Sequence, residues 1–143
     1  MIRYLVDTNV ISNATKPEPS PRLAEWWMAQ PSEALFVASL TLAEIQRGIL
    51  LLPAGRKRRS LEDWFVGEAG PHRLFAGRIL AFDDVASGFW ARLMAEGTRQ
   101  GRPRNGLDMI VAATALANDC TVVTENERDF AGLTVLNPMR AAN

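Results

Sequence analysis

Five short strand-like runs alternate with stretches whose apolar residues recur at helical spacing, and this order most limits what the chain can fold into. The runs are Ile2 to Val6, Ala34 to Ala38, Arg78 to Phe82, Thr121 to Thr124 and Leu133 to Leu136. Strands separated by helices are joined most simply as parallel neighbours, because a parallel pair needs a long crossover. The pattern therefore predicts an α/β layered domain around a mostly parallel sheet. With 143 residues and no repeat, low-complexity tract or linker, a single domain over residues 1–143 is expected.

The helical stretches carry their own punctuation. A helix is expected to start at Asp7-Thr8-Asn9, straight after the first run. Pro21 suits the first turn of a second helix bearing Leu23, Trp26 and Trp27. Ser39 or Thr41 is expected to cap a third, with Leu42, Ile45, Ile49 and Leu52 on one face, until Pro53-Ala54-Gly55 breaks it. Residues 56–68 read as an amphipathic helix with Leu61, Trp64 and Phe65 on its apolar side. Helices over 86–100 and 107–118 are expected around the loop 101–106, with Asn105 as candidate cap of the second.

Composition removes several function classes. Cys120 is alone, so there is no internal disulfide, and no Cys/His spacing suits zinc. The longest apolar stretch, Met109 to Ala117, is far short of the roughly 20 residues a spanning helix needs. Asp7 precedes any segment resembling a signal peptide, so a cytoplasmic protein without membrane attachment is expected. Sixteen basic and sixteen acidic residues cancel, so net charge does not advertise a polyanion partner. Among the bases all but Lys16 and Lys57 are Arg, grouped at Arg56-Lys57-Arg58-Arg59 and at Arg99, Arg102 and Arg104. Either group can be a solvated helix face or a fork for phosphate.

Four acids fall where a parallel sheet would gather them, and Asp7 and the segment after Thr124 lie at the carboxyl ends of strands, where sites form. Asp7 ends the first run, and could either cap a helix or serve a site. Glu44 lies about one turn into the helix after the second run, and could equally be a surface residue near Arg47. Asp108 interrupts Leu107-Asp-Met-Ile-Val, where a helix N-terminus would favour its charge. After the fourth run, Thr124-Glu-Asn-Glu-Arg-Asp offers Asn126 or Asp129, with Glu125 and Glu127 expected in solvent. Asn9 and Thr124 can hydrogen-bond such a cluster. Converging carboxylates repel and raise one another's pKa, a conflict that a divalent cation resolves. A hydrated cation held by carboxylates can cleave phosphodiesters. A metal-free route through a 2′-hydroxyl usually wants a His pair, and His72 stands alone.

Five pieces in order resemble the PIN-domain ribonucleases, in particular VapC/FitB-type toxins of type II toxin–antitoxin pairs. They are Leu5-Val-Asp-Thr-Asn-Val-Ile-Ser, Ser39-Leu-Thr-Leu-Ala-Glu-Ile-Gln-Arg-Gly-Ile and Phe75-Ala-Gly-Arg-Ile-Leu, then Gly106-Leu-Asp-Met-Ile-Val-Ala-Ala-Thr-Ala and Val122-Val-Thr-Glu-Asn-Glu-Arg-Asp-Phe. The resemblance implies a three-layer α/β/α sandwich with a mostly parallel sheet of four or five strands. It implies an endoribonuclease dependent on Mg²⁺ or Mn²⁺, leaving a 5′-phosphate and a 3′-hydroxyl. It also implies a homodimer that can join a larger assembly with a cognate antitoxin carrying a DNA-binding domain. Asp7, Glu44 and Asp108 match catalytic acids, with Asp7 and Asp108 as direct metal ligands and Glu44 acting on the attacking water. Asn126 stands where many relatives have Asp, so Asp129 is taken as the fourth catalytic acid. Asn9, Thr124 and Asn126 form a supporting polar network.

Two rival readings accompany this one. A catalytically weak PIN-like module could bind RNA or protein without cleaving. A phospho-acceptor domain with Asp7 as nucleophile would need a Lys near a later strand, whereas Lys16 and Lys57 are both early. Trp26 and Trp27 are candidate anchors for the antitoxin, in a groove between their helix and the next.

Overall fold

Leu5 and Val6, neighbours in the first strand, bury into two different cores, and that division organises the molecule. The computed structural model describes residues 1–140. Its sheet comprises β1 (Arg3–Val6), β2 (Leu35–Ala38), β3 (Ile79–Leu80), β4 (Cys120–Val123) and β5 (Val135–Leu136). All pairings are parallel, in the order β3-β2-β1-β4-β5. Successive side chains on a strand point to opposite faces. Val6, Val37 and Val123 accordingly enter one core, while Leu5, Ala38 and Val122 enter the other.

Helices close both faces, giving the expected three layers. On the first face lie α1 (Thr8–Ala14), α2 (Pro21–Ala29), α3 (Ser39–Leu50), α4 (Arg56–Val66) and the single turn α5 (Pro71–Leu74). On the second lie α6 (Asp84–Arg99) and α7 (Gly106–Ala117). Helix α7 is apolar nearly all round, and Met109, Val111, Ala112, Ala113 and Ala115 are all buried. Small residues let it lie close to both the sheet and α6. Trp26 and Trp27 attach α2 to the first core, edge-on to Tyr4 at 5.1 Å and to Phe75 at 6.2 Å. Both are half-buried. No helix among the described residues is long and apolar enough to cross a membrane.

Several local expectations are corrected, among them the fifth strand, which keeps only Val135–Leu136 of the expected 133–136 run. Helix α3 begins at Ser39 with Ala38 in the cap position, and neither Ser39 nor Thr41 caps it. Thr41 is instead buried within the first turn, its hydroxyl without a partner among the described residues. The third strand keeps only Ile79–Leu80 of the expected 78–82 run, and Phe82 is exposed. The α5 turn was not apparent from periodicity, since four residues are too few to display it.

A 3₁₀ turn, Glu127–Phe130, links β4 to β5 and is pinned by Phe130, which is buried in the second core. Replacing Phe130→Ala should lower stability by about 3–5 kcal/mol, measured by chemical denaturation, as expected for emptying a buried aromatic site.

Candidate active site

β1 ends where Asp7 begins α1. The Asp7 backbone N–H still pairs with the Val123 carbonyl at 2.9 Å, so Asp7 leaves the sheet beside Thr124, the residue that follows β4. From β1 the chain continues to β2 on one side, while β4 lies on the other. Such a switch point opens a crevice at the strands' carboxyl ends.

Asp7 is only 7 % exposed. The Thr8 backbone N–H donates to its Oδ1 at 2.9 Å, and the Thr124 hydroxyl donates to Oδ2 at 3.0 Å. Asn9 Nδ2 approaches Oδ2 at 3.3 Å. Capping and site membership are thus both fulfilled by one side chain. An ionised carboxylate offers about four acceptor directions, so one remains open. Burial raises the Asp7 pKa and the charge of Asp129 adds to this, while the three hydrogen bonds oppose it.

Thr124 is fully buried, and its hydroxyl is the hub of the polar network. Besides donating to Asp7 it accepts from the Asn126 backbone N–H at 3.0 Å and from Asn9 Nδ2 at 3.3 Å. Asn9 Oδ1 in turn accepts from the Glu125 backbone N–H at 3.1 Å. The start of α1 and the end of β4 are therefore laced together. Asn126 contributes its main chain to this lacing, while its residue is exposed.

Glu44, half-buried on α3, accepts a hydrogen bond from the Thr8 hydroxyl at 3.2 Å. Its pKa is raised by burial and by the charge of Asp7, against the opposing effects of Thr8 and Arg47. Thr8 therefore serves two acids, one through its backbone and one through its hydroxyl. Sequence reasoning passed over it, although a hydroxyl residue between Asp7 and Asn9 at a strand–helix junction was the available signal.

Asp108 is in a different condition. Asn105 caps α7 through Oδ1, accepting from the Leu107 and Asp108 backbone N–H groups, each at 3.0 Å. The Asp108 carboxylate is thereby released from capping, and no donor reaches it among the described residues. Its pKa is pushed up to about 6, first by burial and then by the charges of Asp129, Asp7 and Glu44. A helix N-terminus favours a carboxylate, but burial and three like charges outweigh that preference.

Asp129 sits exposed on the 3₁₀ turn, and its charge acts on both Asp7 and Asp108. Thus Asp108 feels the charges of the other three acids singled out from the sequence, Asp129, Asp7 and Glu44. Glu125 and Glu127 are less free than expected. Glu125 accepts from Asn13 Nδ2 at 2.9 Å, and Glu127 pairs with Arg140 at 2.7 Å.

Among the described residues, no three His, Cys, Asp or Glu side chains form a ready-made metal cage. The donor set nonetheless fits a hard cation. It consists of oxygens, one acceptor direction is open on Asp7, and the Asp108 carboxylate is unengaged. Mg²⁺ typically takes one or two carboxylates and keeps several waters.

Residues 4–135 match the model of the PIN domain. The chain belongs to the PIN-domain family. Among curated relatives, VapC ribonuclease Y4jK of Sinorhizobium fredii is 38% identical over 140 residues, spanning 96% of this chain and 99% of that protein. Toxin FitB of Neisseria gonorrhoeae is 34% identical over 136 residues, spanning 94% and 96%. The solved structure of FitAB bound to an IR36 DNA fragment superposes with a TM-score of 0.88 at 32% identity, over 98% of both chains. The sequence thus lies in the VapC/FitB branch of the PIN family, and the five-stranded parallel sheet is that family's fold.

The raised pKa of Asp108 has a direct consequence for stability. The folded value of about 6 exceeds the ordinary 3.8, so the fold prefers the protonated group. That contribution is full below the ordinary value and is lost as pH rises through about 6. In chelator, the parent protein should lose melting temperature across this window relative to Asp108→Asn, which should melt higher at neutral pH. Parallel melting curves for the two proteins would contradict the crowding of Asp108.

Proposed function

We propose that this chain is the toxin of a type II toxin–antitoxin pair, a Mg²⁺-dependent endoribonuclease in which Asp7 and Asp108 hold the ion. The carrying observation is the Asp108 carboxylate, hemmed in by three other acids and served by no donor among the described residues. Such a group gains most from a neighbouring cation. Likeness to a VapC ribonuclease and to toxin FitB supports the choice of RNA and of toxicity.

Each side chain has a role suited to its surroundings. Asp7, gripped by three hydrogen bonds, presents its remaining acceptor direction without moving. Asp108 supplies a carboxylate that no donor engages among the described residues. A bound Mg²⁺ would supply Lewis acidity, neutralising charge at the scissile phosphate and easing deprotonation of water. Glu44, with a raised pKa and an orientation set by Thr8, is suited to accept that water's proton. Asp129 completes the acidic rim, while Asn9, Thr124 and the Asn126 backbone keep Asp7 in place. Mn²⁺ would suit the same oxygen donors.

The likeness to FitAB bound to DNA supports a cognate antitoxin with a DNA-binding end. A trough of about 540 Å³ between α1, α3 and α4, lined by Ile11, Ile45, Leu52, Leu61 and Trp64, runs up to Glu44 and suits an apolar antitoxin segment. This is a better seat than one centred on Trp26 and Trp27, which hold α2 to the core. Exposed Val85, Leu107 and Leu116 on the α6–α7 layer support self-association into a homodimer. A toxin acting on cellular RNA would work in the cytoplasm.

Cleavage of single-stranded RNA should require Mg²⁺ and stop on chelation. Asp7→Asn and Asp108→Asn should each reduce it by roughly 100-fold or more, with circular dichroism unchanged. Full cleavage by either variant, in a preparation free of other nucleases, would refute the assignment. Metal-dependent turnover also separates this reading from a PIN-like module that only binds.

A further inference from the structure

An acidic centre repels the polyanion it is proposed to cut, and a second feature beside it answers that difficulty. Between the α6–α7 loop and the 3₁₀ turn lies a cleft of about 500 Å³ whose lining includes Arg102, Arg104, Asn105, Arg128 and Asp129. Asp129 is the sole acid in that lining and the charge it exerts on Asp7 and Asp108 links the cleft to the acidic centre.

Arg104 differs from an ordinary surface arginine. It is half-buried, and its Nη1 donates to the Ala131 carbonyl at 3.0 Å and leans on Met109 Sδ at 3.9 Å. One glycine makes room for it. A Cβ on Gly97, inside α6, would stand 2.9 Å from the Arg102 carbonyl and 3.0 Å from Arg104 Cγ. Glycine within a helix is disfavoured relative to alanine, and here Gly97 lets the loop press against α6. No carboxylate pairs with Arg104 among the described residues, unlike Arg58 and Arg140, which are paired with Glu62 and Glu127. Its charge is thus fixed in position and uncompensated, with most of its five N–H donors unspent.

We infer that Arg104, flanked by Arg102 and Arg128, forms a phosphate subsite that receives the RNA backbone next to the bond held over Asp7 and Asp108. This deepens the nuclease reading and rests on it for the path of the strand. Arg104 is a positioning residue. A guanidinium anchored at one nitrogen keeps its other edge for a phosphate's oxygens, the bidentate arrangement at which Arg excels. The two outer arginines, both exposed, extend the positive lining along the cleft. A neutral protein can therefore bind RNA through a local arrangement of charge that its net charge conceals.

The test is binding of a short fluorescein-labelled single-stranded RNA, followed by anisotropy over a salt series, to the full chain and to Arg104→Gln. The variant should bind roughly tenfold more weakly at low salt, as for loss of one charged hydrogen-bonded contact. The slope of log affinity against log salt should flatten by about 0.7. In cleavage assays the loss should appear in KM rather than kcat. Because Arg104 also supports Ala131, the paired variant Arg102→Gln/Arg128→Gln, built on exposed side chains, guards against a folding defect. It should flatten the slope likewise, with an unchanged melting temperature. Unchanged affinity and slope in both variants would overturn the subsite. Absence of cleavage by the parent protein would instead defeat the nuclease reading, and the binding comparison would still decide the subsite.

Discussion

The site depends on one buried hydroxyl. Thr124 Oγ1 gives its single proton to Asp7 and takes two from Asn126 and Asn9, tying the end of β4 to the start of α1. Without such ties, two chain segments that both carry negative charge would gain by separating. The parallel pairing of β1 with β4 sets the distance, and the hydroxyl turns that distance into a fixed orientation of Asp7. Glu44 is oriented by the same means at one remove, through Thr8, the residue next to Asp7.

The acids are consequently graded rather than equivalent. Asp7 is buried but well served by donors, so its position is predetermined and its response to ligands is small. Asp108 is placed by a helix whose capping is done by Asn105, and its charge is left uncompensated. Asp129 stands in solvent, where its charge acts on Asp7 and Asp108. A centre built this way couples a rigid element to a responsive one. That suits a cation which retains part of its hydration and takes few protein ligands.

Much of this was readable from the chain, for identifiable reasons. Short apolar runs alternating with helical periodicity left little choice but a parallel sheet, and Asp7, with Asn9 two places on, marked where β1 becomes α1. Asp108 stood out because a charged residue among Leu107, Met109 and Ile110 demands an explanation. What escaped was local and geometric. Thr8 looked like part of a cap, because a hydroxyl's second partner, 36 residues away, leaves no trace in spacing. Ser39 and Thr41 look like capping residues, but the end of β2 delivers the backbone directly into α3 with no side-chain cap. The 3₁₀ turn that carries Asp129 was not legible either. Periodicity does not encode that turn, whereas the burial of Phe130 fixes it.

The place of β1 in the middle of the sheet also sets an order of assembly. One of its neighbours, β2, is made soon after it, but β4 arrives more than a hundred residues later, the Asp7–Thr124 bond spanning 117 positions. Until then one flank of β1 is an open edge, and closing a loop of that length is an entropically late event. The act that seals this edge also assembles the carboxylates. The acidic cluster is therefore completed only once the chain has been made through Thr124 and Asp129.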